Sequence, residues 1–412
     1  MNTSVQRYDL LAPLYSAESL ELVDGKGAEL FDRQGRRYLT LNELSVCLGA
    51  GNERFVRAVS RAAGEVAQSG AANPYKARLL MRLMEATGGD FDRVHLTSSG
   101  SEAAEWAVKL ACRMTGRSEV VSFWNSIHGR TQLSAGMSGL PKRKAGYPPL
   151  PPGLVHTPYP DCARCPFRCR PESCGFACID FLDQQVAYGS AQDVAAVIIE
   201  PCQGLANLCP PPGYLAALRA WTNSRDILLI FDEIQSGMGR TGHMFRYQEE
   251  GVIPDLLLVG KGLGNGLHIA GFLMRGAADP SMLPALAGGS GDSVLSCAAA
   301  CAVFDELLEG GLLENVRATG ARLQSGLQRC VDACPQAVRV RGAGLALSLE
   351  CTDEETAAAV HSRMRANRYL MGRSGACLVF KPPFSLTGAQ ADETAEALQN
   401  ALVGCGRPTS AD

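Results

Sequence analysis

Three uninterrupted apolar runs restrict the architecture of this chain: DVAAVIIEP ending at Pro201, DILLIFDE ending at Glu233 and PDLLLVGK ending at Lys261. Each is strand-sized and none alternates with polar residues, so both faces of each strand have to be covered. PGYLAALRAWTNS lies between the first two and is helical in pattern. SGSEAAEWAVKLACRMTG starts another helix after a Ser/Gly turn, with Glu102 in its first turn. With YKARLLMRLMEA as a helix and FDRVHLT and SEVVSFWNS as strands, the alternation predicts an α/β fold. Its mostly parallel sheet is expected within residues 51–300. After Ser293 the chain reads as two helices divided by Gly310-Gly311, then as alternating strands and helices. That predicts a smaller α+β domain at 301–412. Residues 24–40, punctuated by Gly25, Gly27, Asp32 and Gly35, read as a strand pair, so segment 1–50 is expected to join the small domain.

Composition excludes several classes. The 412 residues carry 39 Lys+Arg against 42 Asp+Glu, a net charge of −3, with no basic block, which argues against a nucleic-acid partner. The apolar runs are too short for a membrane span, and the N-terminal residues have no basic segment leading into an apolar run, so a cytoplasmic protein is expected. Sixteen cysteines are the outlier, five of them crowded into 162–178.

Four constellations could carry chemistry. Thr97-Ser98-Ser99-Gly100-Ser101-Glu102 lies at a strand-to-helix junction, where free backbone amides can hold an anion or Ser99 can simply cap the helix. Asp232 ends a parallel strand, the rim where ligands bind; it is either a solvated strand end or the partner of a cationic heterocycle. Lys261 ends another apolar strand and is followed by GLGNG. It is either a turn lysine or an amine held partly out of water, neutral and nucleophilic. An anion cradle, a carboxylate for a ring nitrogen and an imine-forming lysine are together what pyridoxal phosphate needs. The fourth is CARCPFRCRPESCGFAC. Its C-x2-C start suits zinc or an iron–sulfur centre, with packed thiols or disulfides as the other options.

In its order of motifs the chain resembles the class III aminotransferases, fold type I pyridoxal-phosphate enzymes, over nearly its full length. The motifs are SSGSEAAEWAVKLA, HGRT, IIEP, FDEIQSGMGRTG and GKGLGNG. The resemblance implies an amino group moved between an amine or amino acid and an aldehyde or keto acid. A lyase, decarboxylase or aminomutase of the same fold is the alternative. It implies that Lys261 holds the cofactor as an imine and moves the substrate proton, that Asp232 pairs with the pyridine nitrogen, and that Gln235 lies near the phenolic oxygen. Ser99, Gly100 and Ser101 would hold the phosphate, Ile127 and His128 would border the ring, and Glu200 would stand on the substrate side. It also implies a homodimer with shared sites, and the Ala/Cys-rich helix at 294–304 suits close packing there.

The departures are specific. Ile127 stands where the family usually has an aromatic that stacks on the ring, so cofactor affinity is expected to be lower. Gly289 stands at the position of a phosphate-binding Thr from the partner subunit, leaving Ser290 as the nearest hydroxyl. Val379 stands where an Arg often grips the α-carboxylate, with Lys381 beside Pro382. Lys makes no bidentate fork, so an amine distal to, or without, a carboxylate is expected as substrate. Some family members have a similar Cys-rich insert, which implies Cys162, Cys165, Cys174 and Cys178 as ligands of a 2Fe–2S cluster or zinc, with Cys169 spare.

Overall fold

The structure, a computed structural model, describes residues 20–65, 73–146, 149–276 and 291–405. Strands β1 (Leu22–Lys26), β2 (Glu29–Asp32) and β3 (Arg37–Thr40) form an antiparallel meander, three strands where the turn residues suggested two. Helices α1 (Glu53–Ala63) and α2 (Pro74–Ala86) each start at an asparagine. Asn52 accepts from the Phe55 amide at 2.9 Å and Asn73 from the Lys76 amide at 2.7 Å, with Pro74 at the first helical position.

The central sheet follows. In chain order it comprises β4 (Arg93–Thr97), helix α3 (Gly100–Thr115), β5 (Glu119–Phe123), α4 (Gln132–Met137), β6 (Leu154–Thr157), α5 (Ala177–Gly189) and β7 (Val194–Ile199). It continues through α6 (Tyr214–Asn223), β8 (Leu228–Asp232), α7 (Tyr247–Glu250), β9 (Leu256–Val259) and β10 (Ala270–Met274). The spatial order is β4-β10-β9-β8-β7-β5-β6. The run β9-β8-β7-β5-β6 is parallel, and β10 is antiparallel to both its neighbours. Successive residues serve opposite faces, as the pleat requires. Ile198, Ile230, Leu256, Leu258 and Phe272 pack with Ala104, Ala107, Val108 and Ala111 of α3, whose small side chains let the helix sit close. Val197, Ile199, Leu229, Phe231 and Leu257 pack on the other face with Tyr214, Leu215 and Leu218 of α6. This two-sided burial is why the runs contain no polar residue.

Helices α8 (Val294–Leu308) and α9 (Leu312–Ala333) are separated by Gly311 in the left-handed region, φ +75°. They lead to β11 (Ala337–Ala343), β12 (Ala346–Cys351), α10 (Glu354–Ala366), β13 (Tyr369–Leu370), β14 (Gly372–Ser374), β15 (Cys377–Phe380) and α11 (Gly388–Cys405). An antiparallel sheet of order β11-β12-β15-β14 results, while β13 pairs parallel with β3. The residue after β15, Lys381, pairs with Asn42 in an isolated parallel bridge. The N-terminal meander is thereby stitched to the C-terminal sheet. Helix α8 is buried along most of its length and packs on α1 and α2. Its Ala/Cys face, expected to suit an interface between subunits, is consumed inside the chain. Among the described residues no helix is long and apolar enough to cross a membrane.

Candidate active site

Parallel strands deliver their last residues to one rim of the sheet, and a cavity of about 490 Å³ opens there. Asp232, Glu200, Lys261, Gln235, His128, Ile127, Gly100 and Ser101 all line it, so the motifs separated by up to 160 residues of chain do converge. Ser290 lies outside the described residues.

Asp232 and Glu233 are adjacent and point apart. Asp232 is 4% exposed; its Oδ2 lies 2.8 Å from His128 Nδ1, and its Oδ1 accepts from the Ile234 amide at 3.1 Å. Glu233 turns to the opposite side and accepts from the backbone amides of Arg246 and Tyr247, capping α7. Complete burial pushes its carboxyl up to about 7. His128 is 1% exposed, and its Nε2 is buried without a hydrogen-bond partner among the described residues.

Lys261 stands at the start of a short helical turn, Lys261–Gly264, with φ +43°, a left-handed conformation costly for a residue with a side chain. Its Nζ donates to Gln235 Oε1 at 2.7 Å. Burial lowers its pKa, Arg130 and Arg143 adding to the effect while Asp232 and Glu200 oppose it. A lowered pKa leaves more of this amine neutral than an exposed lysine would be. Glu200 is held between two backbone amides, Ile127 to Oε1 and Gly204 to Oε2, each at 2.8 Å. Burial raises its pKa. It therefore braces the two loops that carry Ile127 and Gly204.

The helix start behaves as both of its sequence interpretations allow. Ser99 caps α3 through the Glu102 amide at 3.3 Å, while Ser101 Oγ accepts from the Arg130 amide at 3.1 Å. Gly100 has no room for a side chain, since a Cβ would stand 2.8 Å from Ile234 Cδ1. Backbone amides at the end of the α3 dipole thus border the cavity directly. These residues fit pyridoxal phosphate: an amide-lined helix start for the phosphate, a buried carboxylate for the ring nitrogen, an unpartnered imidazole nitrogen and a buried amine.

Lining residues not singled out as site residues in the sequence include Arg130, Arg143, Arg373, Asn42 and Gly204. Arg130 lies inside HGRT and was legible there; the others come from loops and edges whose contribution depends on tertiary packing. Val379 is 4% exposed and lines the same wall as Lys381. Arg240 is buried and donates to the carbonyls of Leu345, Pro382 and Glu43, a structural role.

The expected metal centre is not assembled. Cys162, Cys165, Cys169, Cys174 and Cys178 line one apolar cavity of about 290 Å³. Among the described residues, however, no three His, Cys, Asp or Glu side chains converge on a metal position. The insert is organised by rings instead, Phe176 edge-on to Tyr214 at 5.8 Å and Phe167 against Phe181 at 5.2 Å. Burial raises the Cys162 thiol and takes that of Cys178 to about 11, the neighbouring thiols of the insert adding to the effect. A pair that spacing did not flag, Cys202 and Cys209, forms a disulfide across the loop that follows Glu200.

Comparison with known proteins agrees with this geometry. Over 96% of this chain and 97% of the other, the fold superposes with a TM-score of 0.87 on an amine transaminase from an uncultivated Pseudomonas species, at 28% identity. An (S)-enantioselective omega-transaminase from Thermomicrobium roseum gives 0.89, also at 28%, covering 98% and 99%. The fold is that of the fold type I pyridoxal-phosphate transaminases. Residues 14–402 match the family Aminotransferase class-III. The acetylornithine aminotransferase of Streptomyces coelicolor is 36% identical over 95% of this chain and 92% of its own length, and that of Methanopyrus kandleri 32% over 83% and 84%. The chain therefore belongs to the class III aminotransferases and is a pyridoxal-phosphate-dependent aminotransferase.

Proposed function

We propose that this aminotransferase draws its amino group from a primary amine whose reacting carbon carries no carboxylate, and passes it to a carbonyl acceptor. The observation that carries this is the wall at Val379: an apolar side chain faces the cavity, and the neighbouring Lys381 amine is committed to the Gly204 carbonyl. No bidentate fork stands at that wall position for an α-carboxylate. The relatives' names are in keeping, since acetylornithine keeps its free amine remote from its carboxylate and one solved neighbour is named an amine transaminase.

Pyridoxal phosphate, when bound, supplies an aldehyde for the amine and an electron-poor ring to take up the electron pair. The chain's own residues do the rest. Lys261 is the amine that would hold the cofactor and move a proton at the substrate carbon. Asp232, oriented by His128 at 2.8 Å, would hold a proton on a ring nitrogen, and Gln235, beside the Lys261 amine, would serve the phenolic oxygen. The first amides of α3, at Gly100 and Ser101, receive the phosphate, Ser99 fixing the helix start. Ile127, on the cavity wall, would cover the ring and exclude water. Glu200 braces the loops on the substrate side, and Arg130, Arg143 and Arg373 give the cavity a positive field for an acceptor's carboxylate. We further assign 51–300 to the cofactor-binding domain and 301–412, joined by 1–50, to the small one, with a homodimer as the working unit.

A panel of amino donors, mixed in single turnover with the loaded enzyme and followed by the cofactor's visible absorbance, tests the substrate class. Fast bleaching by primary amines and ω-amino acids is expected. Fast bleaching by ordinary α-amino acids alone would reject it.

A further inference from the structure

Two lysine amines face the cavity. Lys381, just beyond β15, is 3% exposed, and its backbone is pinned on both sides: its amide donates to Leu41 at 2.6 Å and its carbonyl accepts from Glu43 at 2.8 Å. Its Nζ donates to the Gly204 carbonyl. The same carbonyl accepts from Gln235 Nε2 at 2.7 Å, and Gln235 Oε1 accepts from Lys261 Nζ at 2.7 Å. One backbone carbonyl and one side-chain amide thus connect the two amines.

A primary amide has two ends of nearly equal size and opposite hydrogen-bonding character. If Gln235 turned over, its NH₂ would face the Lys261 amine and its oxygen would face the Gly204 carbonyl, two mismatched contacts. The Gly204 carbonyl therefore decides which end Lys261 meets. Gly204 sits against the amide so closely that a Cβ would stand 2.4 Å from Gln235 Cδ. Its amide is also tied to Glu200. Lys381 is the second donor to the carbonyl on the other side of this residue. Burial brings its amine down to about 7, Lys261 and Arg240 pressing the same way and Glu200 opposing. An amine so expensive to bury is otherwise unexplained, since the described ion pairs give it no carboxylate.

Resting on the assignment of Lys261 as the cofactor lysine, we propose that Lys381 is a positioning residue: by holding the Gly204 carbonyl it sets the orientation of the Gln235 amide and so aims the Lys261 amine. The variants are Lys381→Met, which keeps the length and removes the donor, and Lys381→Arg, which restores a donor. In cofactor-free full-length protein, the high-pH plateau rate at which trinitrobenzenesulfonate labels Lys261, located by peptide mapping, no longer depends on the fraction of the amine that is protonated. Lys381→Met is expected to raise that plateau about fivefold, the factor that loss of one ordinary hydrogen bond carries. Lys381→Arg is expected to return it toward the parent value. In a Gln235→Leu background, Lys381→Met is expected to change nothing further, because the path runs through Gln235. With loaded enzyme, kcat falls while KM for an uncharged amine donor holds. Equal effects in both backgrounds, or a rise confined to KM for carboxylate-bearing substrates, would overturn the proposal and make Lys381 an independent charge or a substrate contact. Failure of the Lys261 assignment itself shows separately, as cofactor fixed by borohydride on some other lysine.

Discussion

At the scale of single residues, the site depends on two adjacent carboxylates with opposite duties. Asp232 faces the cavity and His128; Glu233 faces backbone amides on the far side. Asp232→Asn keeps the shape and removes the charge that would hold a ring nitrogen protonated. Turnover should fall by at least about 100-fold, as for loss of a preorganised electrostatic contact, with the thermal midpoint little changed. Near-normal rates would remove Asp232 from that role. Glu233 makes a different prediction. It releases its proton near 4.5 when unfolded and at about 7 when folded. Between those values the native state binds more protons than the unfolded one, so this group makes stability fall as pH rises, by about 3 kcal/mol in total. Glu233→Gln lacks that slope. Urea midpoints at pH 4.5 and 7.5 should show the variant gaining on the parent at the higher pH, and an unchanged difference would mean that Glu233 ionises normally.

Among the elements, the loop after β7 is tied by several independent contacts. Gln203 and Leu208 exchange two backbone hydrogen bonds, the Tyr159 hydroxyl donates to the carbonyls of Glu200 and Leu208, and Cys202–Cys209 closes the turn. A bridge of this span restricts the unfolded chain by about 2 kcal/mol. Replacing both cysteines with serine should lower the unfolding free energy by that amount, and dithiothreitol should lower the parent equally while leaving the variant alone. A parent indifferent to reductant would show that the bridge does not form in solution. The sequence already contained much of this architecture. Apolar runs such as LLLV reported burial on both faces, and GKGLGNG reported a lysine held among glycines. The reversed direction of β10 was hidden because a doubly buried strand has the same composition whichever way it runs. The His128–Asp232 contact joins residues 104 positions apart, and no local pattern encodes it. The cysteine insert misled for the converse reason. Close spacing brings thiols to one cavity without making them converge, whereas Cys202 and Cys209, with an unremarkable separation of 7, meet across a turn.

For the molecule as a whole, the cavity borrows walls from distant parts of the chain. Asn42, the strand ends of the central sheet, and Gly372 to Lys381 all contribute. The proposed homodimer would add a further wall from the partner. Since α8 is spent on internal packing, the interface must be sought elsewhere. Sedimentation of the loaded enzyme should give a species near twice the 43.7 kDa chain mass. An active species at the single-chain mass would reject shared sites.

The bridge between Asn42 and Lys381 also sets a timetable for synthesis. Residue 42 leaves the ribosome early and waits for residue 381, an interval of roughly tens of seconds at ordinary elongation rates. Lys261 itself emerges about 120 residues before Lys381, into a site with its last wall unmade. Stalled nascent chains ending at residue 370 should therefore show no visible cofactor absorbance, and released full-length chains should acquire it; colour in the stalled chains would contradict this order. Loading is then a property of the finished polypeptide, and an interrupted message leaves a chain that cannot hold its cofactor.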